Sequence, residues 1–329
     1  MKAAAYLWGG NVYMATEELK ALLAIYDESS SILAIQGRAV LFQSNEQAIS
    51  KIIQRAAFTR YAGQVVGEWV TAQGERFVEC GKMELDGFKV IDLSGLGLER
   101  RVGEWIKDLC KGRVDLENPK TVVVLMPFKD KIIIFTSEKM LNKGFWERKK
   151  NRVFFEISAL HPQVARFMVN LSMVKEGDLL LDPFAGSMSI PIEAVSVGAY
   201  AVGGELDAEA VFGGTNNLRL IDGKWDVLRA DALHPPFASN SFSSIATDPP
   251  FGRLKKIIGQ DKKESFFSAF LISAGQLLKP RGGLSFLLPQ DLAPEILPWR
   301  IAGIELLGVV PMRVHKSFIR YALRCRKTV

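Results

Sequence analysis

Four acidic residues in the second half of the chain follow short apolar runs whose pattern predicts β-strands. They are Asp182, Glu205, Asp231 and Asp248. In an open α/β sheet the carboxyl ends of the strands meet at one edge, and ligands bind there. We therefore expect these four side chains to border a common ligand site, although they are far apart in the chain.

The first two acids have the spacing of a nucleotide-binding turn. Asp182 is followed by Pro183-Phe184-Ala185-Gly186, a strand-to-helix turn whose glycine lets the backbone approach a ligand closely. Glu205 comes about 20 residues later, where an acid accepts hydrogen bonds from both ribose hydroxyls of a nucleoside. Asp231 and Ala232 follow the next strand and are predicted to contact an adenine ring. This spacing suits either a dinucleotide or S-adenosylmethionine.

The sequence Asp248-Pro249-Pro250-Phe251 distinguishes these two cofactors. The prolines fix the turn, so the Asp248 carboxylate and the Pro249 carbonyl converge on one exocyclic amine. When these two oxygens accept both N–H groups of the amine, its lone pair turns toward an electrophilic methyl group. The carboxylate then stabilises the charge that develops on nitrogen. Phe251 then stacks on the extruded base. A nicotinamide dehydrogenase needs no such turn, and no GxGxxG motif follows the strand LLLD.

The pattern of apolar residues predicts two different halves. The chain has 329 residues, 48% hydrophobic and 24% charged, which indicates a globular protein of two domains, with room for a small third unit. Before the basic segment that begins at Lys139, short strands are mixed with helices. After it, strand, turn and helix alternate, which is typical of an α/β fold with a mostly parallel sheet. Two further strand-like runs follow that alternation.

Charge, hydropathy and cysteine spacing exclude several classes of protein. No stretch has the roughly 18 to 20 apolar residues of a membrane span, and the N-terminus lacks a signal-peptide pattern, so we expect a cytoplasmic protein. Cys80, Cys110 and Cys325 are widely spaced, which argues against structural disulfides and against a zinc site. The net charge of +6 is concentrated at 139–152 and 313–327. These basic segments either neutralise phosphates or form solvated faces.

Residues 151–329 resemble class I S-adenosylmethionine-dependent methyltransferases with a (D/N)PP(Y/F) motif, which have a Rossmann-like fold. The stretches HPQVARFMVNL, LLLDPFAGSMSIPIEA and TDPPFGR are similar to those of the archaeal tRNA guanine-10 N2-methyltransferases. VDLENP at 114–119 resembles the end of a THUMP domain, the RNA-binding module that precedes the catalytic domain in that family. HKSFIR at 315–320 matches the turn before the last strand of the family, which forms a C-terminal antiparallel hairpin.

The resemblance implies a domain organisation and a set of site residues. The expected parts are an N-terminal α+β unit at 1–50, a THUMP-like RNA-binding domain at 51–138, a basic linker at 139–152 and the methyltransferase domain at 153–329. The catalytic residues implied are Asp248, Pro249, Pro250 and Phe251. The cofactor-binding residues implied are His161, Pro162, Asp182, Phe184, Gly186, Glu205, Leu206, Asp231, Ala232 and Asp248. The basic clusters predict RNA contacts at Lys149, Lys150, Arg152, Arg253 and Arg320, and no metal ligand is expected.

The implied activity is methyl transfer from S-adenosylmethionine to the N2 amine of guanine in tRNA, with position 10 as the first candidate and one or two methyl groups added. A small zinc-binding activator subunit, which some relatives use, stays an open partner; neither a membrane nor DNA is expected as one. Two alternatives remain. One is N2 methylation of guanine at another tRNA or rRNA position, and the other is a non-catalytic RNA-binding protein that retains the fold.

Overall fold

The structure, a computed structural model, describes residues 1–70, 75–82, 85–138, 143–157, 159–250, 263–315 and 318–329. The chain divides into two compact units, residues 1–143 and 144–329. The division between them falls inside the segment 139–152, which the sequence marks as a basic linker.

The first unit is a mixed sheet with helices packed on it. Its helices are α1 (Val12–Tyr26), α2 (Glu46–Arg55) and α3 (Glu99–Cys110). Its strands are β1 (Lys2–Leu7), β2 (Ser31–Gln36), β3 (Ala39–Gln43), β4 (Thr59–Val70), β5 (Glu75–Val78), β6 (Asp86–Asp92), β7 (Arg113–Val114), β8 (Thr121–Phe128) and β9 (Lys131–Glu138). In the described residues the sheet has the order β2-β3-β1-β4-β9-β8-β6-β7, and β5 pairs with β4.

Strand pairing joins the segment 1–50 to the segment that follows it. The antiparallel pair of β1 and β4 sets Ala5 opposite Ala62. Helix α2 lies between these strands in the chain and begins at the side chain of Asn45, which accepts a hydrogen bond from the N–H of Ala48 over 2.8 Å. The two segments that the sequence separates at residue 50 therefore share one continuous sheet.

A disulfide links Cys80 to Cys110, with the two Cα atoms 5.1 Å apart. The prediction of no structural disulfide was wrong for this pair. Cys80 begins a short 3-10 turn and Cys110 ends α3, so tertiary packing brings together two residues that are 30 positions apart. Cys325 is a free, buried thiol in the second unit.

The second unit is a Rossmann-like α/β domain. Its helices are α4 (Phe145–Lys150), α5 (Pro162–Leu171), α6 (Ser189–Val195), α7 (Ala208–Leu218), α8 (Lys263–Leu277) and α9 (Trp299–Ala302). Its strands are β10 (Leu179–Asp182), β11 (Tyr200–Glu205), β12 (Trp225–Arg229), β13 (Phe242–Thr247), β14 (Leu278–Pro289), β15 (Ile304–His315) and β16 (Phe318–Lys327). The sheet order is β12-β11-β10-β13-β14-β16-β15.

The directions of these strands confirm the predicted sheet. Strands β12, β11, β10, β13 and β14 are parallel, and β16 and β15 form the antiparallel hairpin at the other edge. The strand order reverses at β10, since β11 and β12 extend to one side and β13 to the other. Ligands of open α/β sheets bind at such a reversal.

A cluster of buried aromatic rings holds α8 against the sheet. Phe267 and Phe270 on α8 contact Phe286 on β14, with ring centroids 6.3 and 5.5 Å apart. All three side chains are buried. These ring contacts hold α8 against β14, an interior strand of the sheet.

Reduction of the Cys80–Cys110 disulfide is expected to destabilise the first unit by about 3 to 4 kcal/mol, because the link constrains a loop of this length in the unfolded chain. Hydrogen exchange of the buried β8 and β9 amides in the full chain, with and without dithiothreitol, measures this loss. The Cys80→Ser/Cys110→Ser double variant should show the exchange rates of the reduced protein, and dithiothreitol should not change them. Equal exchange rates in the oxidised and reduced protein would contradict the expectation.

Candidate active site

A side-chain hydrogen bond joins the carboxyl ends of β10 and β13. The hydroxyl of Thr247, which ends β13, donates to Oδ1 of Asp182, which ends β10, over 2.6 Å. The backbone N–H of Phe184 donates to the same oxygen over 3.2 Å, so the turn after β10 folds back on the carboxylate. Because the two strands are parallel neighbours, Asp182 is fixed where the strand order reverses.

Glu205 ends β11 and holds the loop that follows β10. Its Oε2 accepts the N–H of Gly186 over 2.9 Å, and its Oε1 accepts the N–H groups of Leu206 and Asp207 over 2.9 and 3.1 Å. Gly186 has a φ of +48°, which glycine adopts without the penalty of a side chain. A carboxylate oxygen accepts two hydrogen bonds, so Oε2 retains capacity for a ligand hydroxyl.

Asp231 and Ala232 follow β12 and line a cleft of about 180 Å³, a volume that includes space open to solvent. The rest of its lining is Leu181, Pro183, Gly204, Ala230, Pro235 and Phe237. The side chain of Asp231 accepts the N–H of Leu233 over 2.9 Å, which keeps the loop after β12 turned toward the cleft. Asp231 is the one acid among the described residues of a lining that is otherwise apolar.

Asp248 follows β13 and is paired with an arginine on β16, which is two strands away in the sheet. Nη1 of Arg320 lies 3.0 Å from Oδ1 and 3.0 Å from Oδ2 of Asp248. The exposed fractions of the two side chains are 15% for Asp248 and 14% for Arg320. Pro249 is buried and Pro250 partly buried. Phe251 and Arg253, predicted to stack on a base and to contact RNA, lie outside the described residues.

Burial shifts the ionisation of two of these acids. Loss of solvation, with a smaller effect of the negative charges of Asp248 and Glu205, raises the pKa of Asp182 to about 8, although hydrogen bonds from Thr247 and the Phe184 N–H oppose the rise. Burial also raises the pKa of Asp248 to about 6, against the opposing charge of Arg320. A positively charged ligand beside these two acids would favour their ionised forms.

Phe184 has a packing role that its sequence position did not reveal. Its ring contacts Phe266 and Phe270 of α8, with centroids 5.6 and 5.7 Å apart. The ring therefore anchors the loop after β10 to the core, and its contact with a cofactor stays a prediction.

His161 and Pro162 form the start of α5. Nδ1 of His161 accepts the N–H of Gln163 over 3.2 Å, and Pro162 occupies the first turn, where it needs no N–H partner. The ring of His161 meets that of Trp146 edge to face at 5.5 Å. Burial, and then the charge of Lys149, lowers the pKa of His161. These contacts make His161 a helix cap, and its predicted approach to a cofactor stays a prediction.

The predicted RNA-contacting residues differ in exposure. Lys150 is exposed and Lys149 half-buried on α4. Arg152 is only 9% exposed and donates to the carbonyl of Leu160 over 3.2 Å. Arg320 is held by Asp248. A phosphate contact at Arg152 or Arg320 does not agree with this geometry, because both guanidinium groups are turned into the protein.

Asn217 is a buried residue that the sequence analysis missed. Its Oδ1 accepts the backbone N–H groups of Val153 and Phe154 over 2.9 and 3.0 Å, and its amide donates to the carbonyls of Phe154 and Ser187 over 2.9 and 3.0 Å. It therefore ties the start of the domain to the loop after β10. No local signal marks it, because an asparagine inside a helix usually faces solvent.

Within the described part of the chain, no group of three or more His, Cys, Asp or Glu side chains is arranged to hold a metal ion. No helix there is long and apolar enough to cross a membrane.

The sequence matches known methyltransferases in the region that forms this site. Residues 149–297 match the family UPF0020, described as an RMKL-like methyltransferase domain. The tRNA (guanine(10)-N2)-dimethyltransferase of Methanothermobacter thermautotrophicus is 34% identical over 235 residues, which cover 70% of this chain and 68% of that protein. The chain belongs to the tRNA guanine-N2 methyltransferase family. The resemblance found in the sequence motifs is confirmed.

A curated relative and a solved structure, both from Thermus thermophilus, extend the comparison of this methyltransferase. A tRNA (guanine(6)-N2)-methyltransferase is 31% identical over 233 residues, 65% of each chain. The crystal structure of TrmN has 21% sequence identity and a TM-score of 0.50, and it covers 99% of this chain and 100% of that one. At this level of identity the second likeness concerns the fold, and it agrees with the Rossmann-like sheet described above.

Proposed function

We propose that this methyltransferase transfers methyl groups from S-adenosylmethionine to the N2 amine of guanine in tRNA, at position 10. The observation that carries the proposal is the position of Asp248-Pro249 at the end of β13, next to Asp182 at the strand-order reversal. The identity with the M. thermautotrophicus enzyme supports position 10. A cytoplasmic location belongs to the same proposal, and a small zinc-binding activator subunit stays an open partner.

The residues at the edge of the sheet fit S-adenosylmethionine. Glu205 offers an acceptor for ribose hydroxyls from Oε2. The cleft beside Asp231 and Ala232 has the apolar walls that an adenine ring needs. Asp182 and Asp248 are carboxyl groups with raised pKa values, and a cofactor that carries a sulfonium and an ammonium group would favour their ionised forms. When bound, the cofactor supplies an electrophilic methyl group.

Asp248 and Pro249 orient the amine, and Asp248 or solvent accepts its proton. An oxygen of Asp248 and the carbonyl of Pro249 accept the two N–H groups of the guanine amine, so that the nitrogen lone pair points toward the cofactor site beside Asp182. As the N–C bond forms, the positive charge that develops on nitrogen lies against the carboxylate. The nitrogen then loses one proton to Asp248 or to solvent, which leaves a neutral N-methyl amine. The prolines hold both acceptors in place without a competing N–H.

A second candidate is N2 methylation at another tRNA position. The T. thermophilus relative named as a guanine(6) enzyme has similar identity, 31%, over a similar length. The catalytic turn selects an exocyclic amine and contains no information about where that amine lies in the RNA. The surface that binds the tRNA decides the position.

Methyl transfer from labelled S-adenosylmethionine to unmodified tRNA transcripts tests the function directly. We expect N2-methylguanosine or N2,N2-dimethylguanosine at position 10, identified by nucleoside mass spectrometry and by mapping the modified position. A transcript with adenine at position 10 is the control and should accept no methyl group there. Modification at position 6 would support the second candidate, and cofactor binding without transfer to any tRNA would contradict both.

Asp248→Ala is expected to abolish methyl transfer nearly completely while cofactor and tRNA binding persist. In the wild-type enzyme kcat/KM should fall as the pH drops through about 6, because protonation of Asp248 removes its charge and one acceptor position. Asp222→Asn, at an exposed aspartate of the same unit, is the control and should behave like wild type. Activity of Asp248→Ala within about tenfold of wild type, some 1.4 kcal/mol of barrier, would contradict the proposed role.

Helix α4 has the features of an RNA-contacting surface. Its Arg148 is tied to the buried Glu193 by two hydrogen bonds of 2.6 and 2.9 Å, so the helix is fixed to the catalytic domain. Trp146 is 71% exposed, and Nζ of Lys149 lies 5.4 Å from the centre of its ring. An exposed indole beside lysines combines a stacking platform for bases with charge for phosphates.

Charge reversal at Lys149 and Lys150 should raise the KM for tRNA on the order of tenfold and lower the slope of its salt dependence, since two phosphate contacts are lost. Cofactor affinity should not change. Lys175→Glu/Lys224→Glu makes the same charge change at exposed lysines of the same unit and is the control. An equal rise in KM for both double variants would mean that only net charge matters, and an unchanged KM would remove α4 from the RNA-binding surface.

A further inference from the structure

Arg320 reaches Asp248 across two neighbouring strand pairs. Strand β13, which ends just before Asp248, pairs with β14, and β14 pairs with β16, where Arg320 lies opposite Pro289. One guanidinium nitrogen is 3.0 Å from each oxygen of the carboxylate. The pair spans 72 residues of sequence and is mostly shielded from solvent. Two charged groups buried together in this way are costly to separate.

We infer that Arg320 is a positioning residue that fixes the orientation of the Asp248 carboxylate and keeps it ionised, and that it does not contact tRNA phosphate. The inference rests on the proposed function for the role of Asp248, but the existence of the ion pair does not. It replaces the assignment that the basic C-terminal segment suggested from sequence.

The hydrogen bonds from Arg320 leave acceptor positions on the Asp248 carboxylate for a substrate. Each carboxylate oxygen accepts about two hydrogen bonds, and Nη1 of Arg320 uses one position on each. One acceptor position therefore remains on each oxygen for the substrate amine. A bridging donor also prevents rotation of the carboxylate, which holds both remaining positions in a constant direction.

The charged groups around Asp248 explain why a cation is needed. Among the described residues, the negative charges of Asp248 and of Glu205 on β11 raise the pKa of Asp182 on β10, so Asp182 and Asp248 repel each other when both are ionised. The hydroxyl of Thr247 donates to Asp182. Arg320 on β16 supplies the opposing positive charge, and even with it burial raises the pKa of Asp248 to about 6. Without it the carboxyl group would stay protonated to higher pH.

A contact between Arg320 and RNA would require the pair to separate. Its side chain is 14% exposed, so a phosphate would have to displace Asp248 from a buried position and leave that carboxylate without a cation. The two roles predict opposite results. A positioning residue changes the pH dependence of turnover, whereas a phosphate contact changes the KM for tRNA and its salt dependence.

The test compares Arg320→Gln and Arg320→Lys with wild type in methyl transfer to tRNA from pH 5.5 to 9.5. For Arg320→Gln we expect the acidic limb of kcat/KM to move up by at least one pH unit. The loss should be tenfold or more at pH 7 and shrink toward pH 9, with cofactor affinity and the KM for tRNA kept. Arg320→Lys retains the charge and should keep the limb near its wild-type position.

The control is Arg326→Gln, which removes an exposed arginine from the same strand and should leave the profile unchanged. In an Asp248→Asn background, Arg320→Gln should cause little further loss, because the carboxylate it serves is gone. A loss by Arg320→Gln that is equal at every pH would overturn the inference in favour of a purely structural role. A raised and salt-dependent KM for tRNA would overturn it in favour of a phosphate contact.

Denaturant unfolding separates this inference from the proposed function. Arg320→Gln raises the folded-state pKa of Asp248, so the folded protein holds its proton to higher pH than the unfolded chain does. The stability of Arg320→Gln relative to wild type should therefore decline as the pH rises from 5 to 8. In the Asp248→Asn background, adding Arg320→Gln should cause no such pH-dependent decline. If this decline is seen but no RNA is methylated, the ion pair stands and the proposed function fails. If the decline is absent, the ion pair itself is contradicted.

Discussion

The hydrogen bond between the Thr247 hydroxyl and Asp182 is the contact on which the site depends. It joins the ends of the two strands between which the order of the sheet reverses, so the loops that follow them leave from a shared point. The loop after β10 then turns back to Glu205 through the N–H of Gly186. The residue after Thr247 is Asp248. One short contact therefore sets the relative positions of the loop after β10 and the Asp248-Pro249 turn.

Asp182, Glu205 and Asp248 lie at one edge of the sheet, where burial and mutual repulsion disfavour negative charge, and each of them has a different environment. Asp182 is raised to a pKa of about 8 by burial and by its acidic neighbours, whereas Glu205 is stabilised by three backbone N–H groups. Asp248 has a guanidinium partner instead. The same fold thus presents one acid that is easily protonated, one held by backbone amides and one held by a cation.

Most of the candidate site was predictable because each acid stands at the end of its own strand in a short local motif. The alternation of strands and helices after residue 152 predicted the mostly parallel sheet for the same reason, since its signals are local. What the sequence did not reveal are partners fixed only by tertiary structure. Thr247 bonds to a residue on another strand, Arg320 lies 72 residues beyond Asp248, and Cys80 meets Cys110 through the packing of α3. Basic residues in a cluster look alike in sequence, whereas burial separates Arg152 and Arg320 from Lys150.

The position of Arg320 on β16 also bears on the order in which the domain becomes competent during synthesis. Strand β16 follows every other described strand in the chain, yet it is inserted between β14 and β15 in the sheet. Strands β10 to β14, and the loops with Asp182, Glu205 and Asp231, are synthesised before β16. The carboxylate of Asp248 gains its cation only when β16 has been made and has entered the sheet. The acids Asp182, Glu205 and Asp231 are therefore made well before the arginine that pairs with Asp248.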